Sequence, residues 1–165
     1  MKKYLFITVT LSFFLIALDV QASERIAVVN MSNIFEQLPQ RTVVAQRLKD
    51  EFENRVTDLK NRERELQHKI QKLQRDSSTM KASDRNRIEK EIIVQRERLS
   101  SKAQAFNQDN HRRQIEERNK LLKYIQKAVK KVADSKGYNI VIDTNAIVYI
   151  STIKDITDDV LKQVK

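Results

Sequence analysis

The sequence predicts an α+β fold: a small β-rich body from which a long antiparallel helical hairpin projects as a coiled-coil arm. Three observations carry that expectation. Apolar, β-branched runs stand near the two ends of the chain, at Ile26 to Val29 and again from Tyr138 to Ile150. Between them the spacing is helical and densely charged, and no Gly or Pro occurs between Pro39 and Gly137. One polar stretch, QRDSSTMKASDR at 74–85, interrupts that pattern. A reversal there brings the terminal β runs together.

The first 22 residues read as a secretory signal peptide. Met1-Lys2-Lys3 is basic, Leu5 to Leu18 is almost entirely apolar, and Val20-Gln21-Ala22 ends in a small residue. The stretch is too short to be a stable membrane span. After Ala22, Arg25 to Asn30 reads as a buried strand. Ser32 or Asn33 is the expected cap of a short helix from Ile34 to Leu38, which Pro39 ends or redirects.

From Gln40 to Leu73 the apolar residues Ala45, Phe52, Leu59, Leu66 and Leu73 repeat every seven positions. Leu48, Val56 and Ile70 fill intermediate positions, and Glu63 takes one such slot. The narrow seam is that of a coiled coil, and the rod should be roughly 50 Å long. A second helix, with Ser83 or Asp84 as expected cap, carries Ile88, Ile92, Leu99 and Phe106, then Ile115, Leu122 and Val129 after a phase shift. Leu121, Ile125, Ala128 and Val132 widen its apolar face, so this end should pack on a core. Gly137 suits a left-handed C-cap.

Tyr138 to Asp143 and Ile147 to Ile150, joined by Thr144-Asn145-Ala146, predict a β-hairpin. Asp155 to Lys165 predicts a last helix, capped by Thr157 or Asp158, that buries Ile156, Val160, Leu161 and Val164. The resulting layout is a body of residues 23–42 and 126–165 and an arm of residues 43–125. The arm tip falls near 76–84, with Met80 and Lys81 in it. About three strands per chain leave open sheet edges, which predicts oligomerisation.

Enzyme chemistry finds no support. The chain has no cysteine, hence no thiol nucleophile or thiolate metal site. His68 and His111 are far apart in sequence on exposed helical positions, without carboxylates at metal-ligand spacing. Asp143, Asp155, Asp158 and Asp159 read as turn and cap residues. No Gly-rich phosphate loop exists, so no catalytic residue, metal or cofactor is expected.

Charge is the stronger signal. The formal net charge is +10, and residues 53–125 hold 19 Lys/Arg against 12 Asp/Glu. Such an excess fits phosphate neutralisation on nucleic acid, lipid head groups or lipopolysaccharide. It also fits a solvated helix face with pairs such as Glu65–Lys69 and Glu116–Lys120. The signal peptide and the missing stacking aromatics argue against nucleic acid. In KAQAFNQDNHRR (102–113), Lys102 and Arg113 lie eleven residues apart, about three turns, and so return to nearly one face.

The stretches IAVVNMSNIF (26–35), KAQAF (102–106), RRQIEERNKL (112–121), VIDTNAIVY (141–149) and DITDDVLKQVK (155–165) resemble the OmpH family of periplasmic chaperones. The resemblance covers essentially the whole chain after residue 22. It implies a homotrimer in which a small β-barrel trimerisation body bears one long helical-hairpin arm per subunit, enclosing a cavity. It implies an ATP-independent holdase for unfolded outer-membrane β-barrel proteins, located in the periplasm, with no cofactor. It also places a lipopolysaccharide contact on Lys102, Arg112 and Arg113. The rival expectation is a basic coiled-coil binding or structural protein attached to lipopolysaccharide or nucleic acid.

Overall fold

The computed structural model describes residues 25–165; the expected signal peptide lies outside the described residues. Strand β1 (Ile26–Val29) leads into α1 (Met31–Gln37), and two long helices follow, α2 (Gln40–Asp76) and α3 (Ala82–Lys136). The chain then forms β2 (Ile140–Asp143), a 3-10 turn (Thr144–Ala146), β3 (Lys154–Asp155) and α4 (Thr157–Val164). Among the described residues no helix is long and apolar enough to cross a membrane.

β1 is the central strand of a three-stranded parallel sheet in the order β2-β1-β3. Its run Ala27-Val28-Val29 is buried, as expected of a strand covered on both faces. Parallel neighbours need a crossover, and here the crossover from β1 to β2 is the whole of α1, α2 and α3. The core gathers Ala27 and Val29 of β1, Ile34 of α1 and Leu38 just after it. Against them pack Leu121, Ile125, Ala128 and Val132 of α3, Ile156, and Val160, Leu161 and Val164 of α4. The widened face of α3 thus packs on the core, as its spacing predicts.

The predicted β-hairpin does not form. β2 pairs with β1, not with Ile147 to Ile150, and the third strand is Lys154–Asp155. Two physical reasons are visible. The link lacks the glycine that tight hairpin turns favour. Instead Asp143 accepts from the Asn145 amide at 3.1 Å, and Asn145 Nδ2 donates to Ser32 Oγ at 3.1 Å, which holds a 3-10 turn. Meanwhile the buried backbone of β1 needs partners on both edges. The run Ile147 to Ile150 is left outside the sheet, with Val148 and Tyr149 almost fully exposed.

The helix caps also differ from expectation. Asn30, not Ser32 or Asn33, caps α1, accepting from the Asn33 amide at 2.8 Å, so α1 starts earlier than predicted. Leu38 is extended, as a residue before proline prefers, and Pro39 opens α2 with φ −59°. Ser83 and Asp84 lie inside the first turn of α3, which has no side-chain cap. The hydroxyls of the reversal serve the preceding helix: Ser77 donates to the Gln74 carbonyl and Thr79 to that of Asp76. At α4, Asp155 accepts from the Thr157 amide at 2.8 Å, in place of a cap by Thr157 or Asp158. Thr157 is freed to accept from the Asn30 amide, which ties α4 to the start of α1. Gly137 adopts φ 71° and ends α3 as predicted.

Candidate functional site: the cation cluster of the arm

α2 and α3 pack antiparallel. The cross-helix pairs run Glu51–Arg113, Arg55–Asp109, Asp58–Lys102 and Lys69–Glu91, one number falling as the other rises. The apolar seam between them is thin: among the described residues from 43 to 120 only Phe52, Leu66 and Ile92 are buried hydrophobics, and Leu121 and Ile125 beyond them belong to the core of the body. Phe52 meets Phe106 edge to face, with ring centroids 5.7 Å apart. The Arg55 guanidinium lies within 6 Å of both rings, a cation–π contact, and donates to Asp109 at 2.9 Å.

Lys102, Arg112 and Arg113 all stand on α3 beside this stack, and each is ion-paired. Lys102 Nζ lies 3.2 Å from Asp58, a carboxylate that also accepts from Arg62 at 2.8 and 2.9 Å. Arg113 grips Glu51 of α2 with two nitrogens, at 2.9 and 3.2 Å, and donates to Glu116 and Glu117 of its own helix. Arg112 donates to Glu116 at 2.9 Å and to Asp109 at 3.4 Å. Glu117, with a 4 % exposed side chain, also takes Lys120 at 2.7 Å and Arg47 of α2 at 3.8 Å. Surrounding a buried carboxylate with cations offsets its desolvation.

The titration behaviour follows from these partners. Arg113 holds the Glu51 carboxyl below its ordinary range, and Arg62 with Lys102 does the same for Asp58. Arg55 and Arg112 lower Asp109; Lys120 and Arg113 lower Glu117. The Arg113 guanidinium is raised above its usual range by Glu51 and Glu116.

The acidic half of this cluster was not singled out by sequence reasoning, although a signal existed. Reflecting the chain about the 74–85 break places Asp58 within one residue of the level of Lys102 and Glu51 about one and a half turns from that of Arg113. Two anticipated i,i+4 pairs are replaced. Lys69 reaches across to Glu91 at 3.0 Å, and Lys120 takes Glu117, three residues away, in place of Glu116. Cations without a carboxylate partner among the described residues include Lys60, Arg64, Lys72, Lys90, Arg96 and Arg98, all exposed. Met80 in the reversal is half-buried and Lys81 exposed. His68 and His111 are both exposed, and among the described residues no group of three His, Cys, Asp or Glu could hold a metal.

Two hollows flank the cluster. One, of about 610 Å³, opens on the arm between Ala45, Leu48, Phe52 and Val56, with Lys49 and Lys60 at its rim. The other, of about 630 Å³, lies on the body between Phe35, Leu122, Val129 and Val141. Both pair an apolar floor with charged edges.

Comparison with known proteins gives these features a context. The family model described as outer membrane protein (OmpH-like) matches residues 25–164. A chaperone protein Skp from Pectobacterium atrosepticum is 60% identical over 147 residues, covering 89% of each chain. One from Yersinia enterocolitica is 59% identical over the same span, and one from Blochmanniella pennsylvanica is 48% identical over 99% of each chain. A solved structure described as an OmpH-like outer membrane chaperone from Caulobacter crescentus superposes with a TM-score of 0.66 at 12% identity, over 84% of this chain and 82% of that one. At that identity the likeness speaks for the fold. The family model and the high-identity relatives span nearly every described residue, and the chain belongs to the OmpH-like family.

Proposed function

We propose that this chain is a periplasmic holdase chaperone for outer-membrane proteins. Without ATP it binds unfolded β-barrel clients between helical arms, keeps them from aggregating and passes them towards outer-membrane insertion. The observation that carries the reading is 60% identity to a chaperone protein Skp over 89% of both chains.

In this reading three copies join through bodies of residues 23–42 and 126–165, closing a shared β-barrel. Residues 43–125 of each copy form an arm with its tip near 76–84. The support is physical: β2 and β3 are open sheet edges, and Val148 and Tyr149 stand bare beside them. A holdase works through many weak contacts. The arm offers exposed Ile93, Val94 and Ile115 for alternating apolar client residues, and exposed cations such as Lys60, Arg64 and Arg96 for steering. Lys102, Arg112 and Arg113 are proposed as the contact for lipopolysaccharide or another anionic membrane component.

The test is dilution of a urea-unfolded β-barrel protein into buffer with and without the assembled chaperone. Scattering should be suppressed at about one trimer per client. Unchanged aggregation at that ratio overturns the holdase reading and favours a basic structural coiled coil.

A further inference from the structure

Two of the three cations proposed to meet an anion, Lys102 and Arg113, also tie the two helices of the arm together, whereas Arg112 pairs within its own helix. Arg113 and Lys102 belong to α3, and their carboxylates, Glu51 and Asp58, belong to α2. The other links between the helices at this level are the Phe52–Phe106 contact, Arg55–Asp109 and the longer Arg47–Glu117 pair. A phosphate that takes Arg113 meets a guanidinium with four of its five N–H groups already given to carboxylates, and one that takes Lys102 shares that ammonium with Asp58, so in both places a fixed carboxylate competes with it. We infer that Glu51 and Asp58 are internal competitors that gate the cluster, so that a phosphate-bearing amphiphile that engages Lys102 and Arg113 fully does so by loosening α2 from α3. The inference rests on the reading of Lys102, Arg112 and Arg113 as an anion-binding set.

Two consequences follow from elementary chemistry. A carboxylate tethered on the facing helix competes at high effective concentration, so a lone carboxylate of an acidic peptide has no advantage over it. A phosphomonoester carries more charge and an extra acceptor oxygen, and planar guanidinium forks suit it. The gate thereby selects phosphate over carboxylate. Lys102 and Arg113 are also about 16 Å apart along the helix, too far for one phosphate, so the fitting ligand presents several phosphates at once, as a lipid surface does. Reciprocity completes the coupling: if anion binding loosens the arm, loosening the arm tightens anion binding by the same factor.

The experiment compares the assembled wild-type protein with Glu51→Gln/Asp58→Gln and with a charge-matched control, Glu53→Gln/Glu63→Gln, whose carboxylates make no ion pair among the described residues. Binding is measured to vesicles containing phosphatidic acid, to vesicles bearing a carboxylate amphiphile at equal surface charge, and to inorganic phosphate. Removing two exposed pairs should tighten phosphatidic acid binding about five-fold beyond the control. In the wild type, amide hydrogen exchange around residues 48–60 and 100–114 should accelerate when phosphatidic acid vesicles bind. Inorganic phosphate and carboxylate vesicles should bind weakly. Equal tightening in the variant and the control, or exchange unchanged on binding, overturns the gate while leaving the anion site standing. Absence of vesicle binding, or binding untouched by Lys102→Glu/Arg112→Glu/Arg113→Glu, overturns the site reading and the gate with it.

Discussion

Gly137 shows how one residue closes an element. A 55-residue helix must end where its chain turns into β2, and the left-handed φ of 71° at Gly137 turns the next amide, that of Tyr138, back to the Ala133 carbonyl at 3.0 Å. A Cβ added there would lie 3.3 Å from Arg25 Nη1, and the positive φ disfavours any L side chain. Gly137→Ala should therefore destabilise the body by about 1 kcal/mol, measured by urea denaturation. No change in midpoint would mean the turn relaxes freely. This glycine was legible because it is unique in the chain and directly follows Lys136 at the end of the helical pattern. Asn30 as a cap was not, since an extended apolar strand runs directly into it and several good capping residues stand side by side.

At the scale of the arm, the thin apolar seam shifts weight onto ion pairs. Each exposed pair is individually weak, but they are arrayed along one interface and share partners. Their carboxyls, among them Glu51, Asp58, Glu91 and Asp109, are all depressed by the cations they face. A depressed carboxyl stabilises the fold above its unfolded value and loses that contribution as pH falls through its folded value. The window is therefore acidic. The melting midpoint of the helical signal should hold from pH 7 to about pH 5 and fall below about pH 4. The Glu51→Gln/Asp58→Gln variant should fall less over the same range. A variant that falls as steeply as wild type would show that these pairs carry no pH dependence. The two helices were legible from their seven-residue repeat, because a helix is specified by neighbours three and four positions away. The cross-arm partners were less so, since they depend on the register set by the reversal at 77–81.

For the whole molecule, the sheet is the deciding feature. Three parallel strands with two open edges, beside an exposed Val148 and Tyr149, are a poor monomer surface. Light scattering at micromolar concentration should give about three chains per particle, and Val148→Glu/Tyr149→Glu should lower that number while leaving helix content intact. A monomeric wild type would overturn the shared-body proposal. The expected hairpin at 138–150 failed at this scale. Alternating and β-branched residues mark a segment as strand-like, but which strand it pairs with is set by backbone groups far away in sequence. Here β1 took both β2 and β3, and the more apolar run Ile147 to Ile150 was left out.

The amino-acid sequence alone determined what local physics can determine. That includes two long charged helices, a break between them, the apolar face of α3 over Leu121 to Val132, the left-handed stop at Gly137, and a family resemblance spread along the chain. The tertiary structure decided the rest: the parallel pairing of strands more than a hundred residues apart, and the capture of Lys102 and Arg113 by carboxylates of the opposite helix. The physical reason is one of range. Helical periodicity and capping act over a few residues, whereas strand partners and cross-helix charges are chosen only when distant segments have been brought to one register.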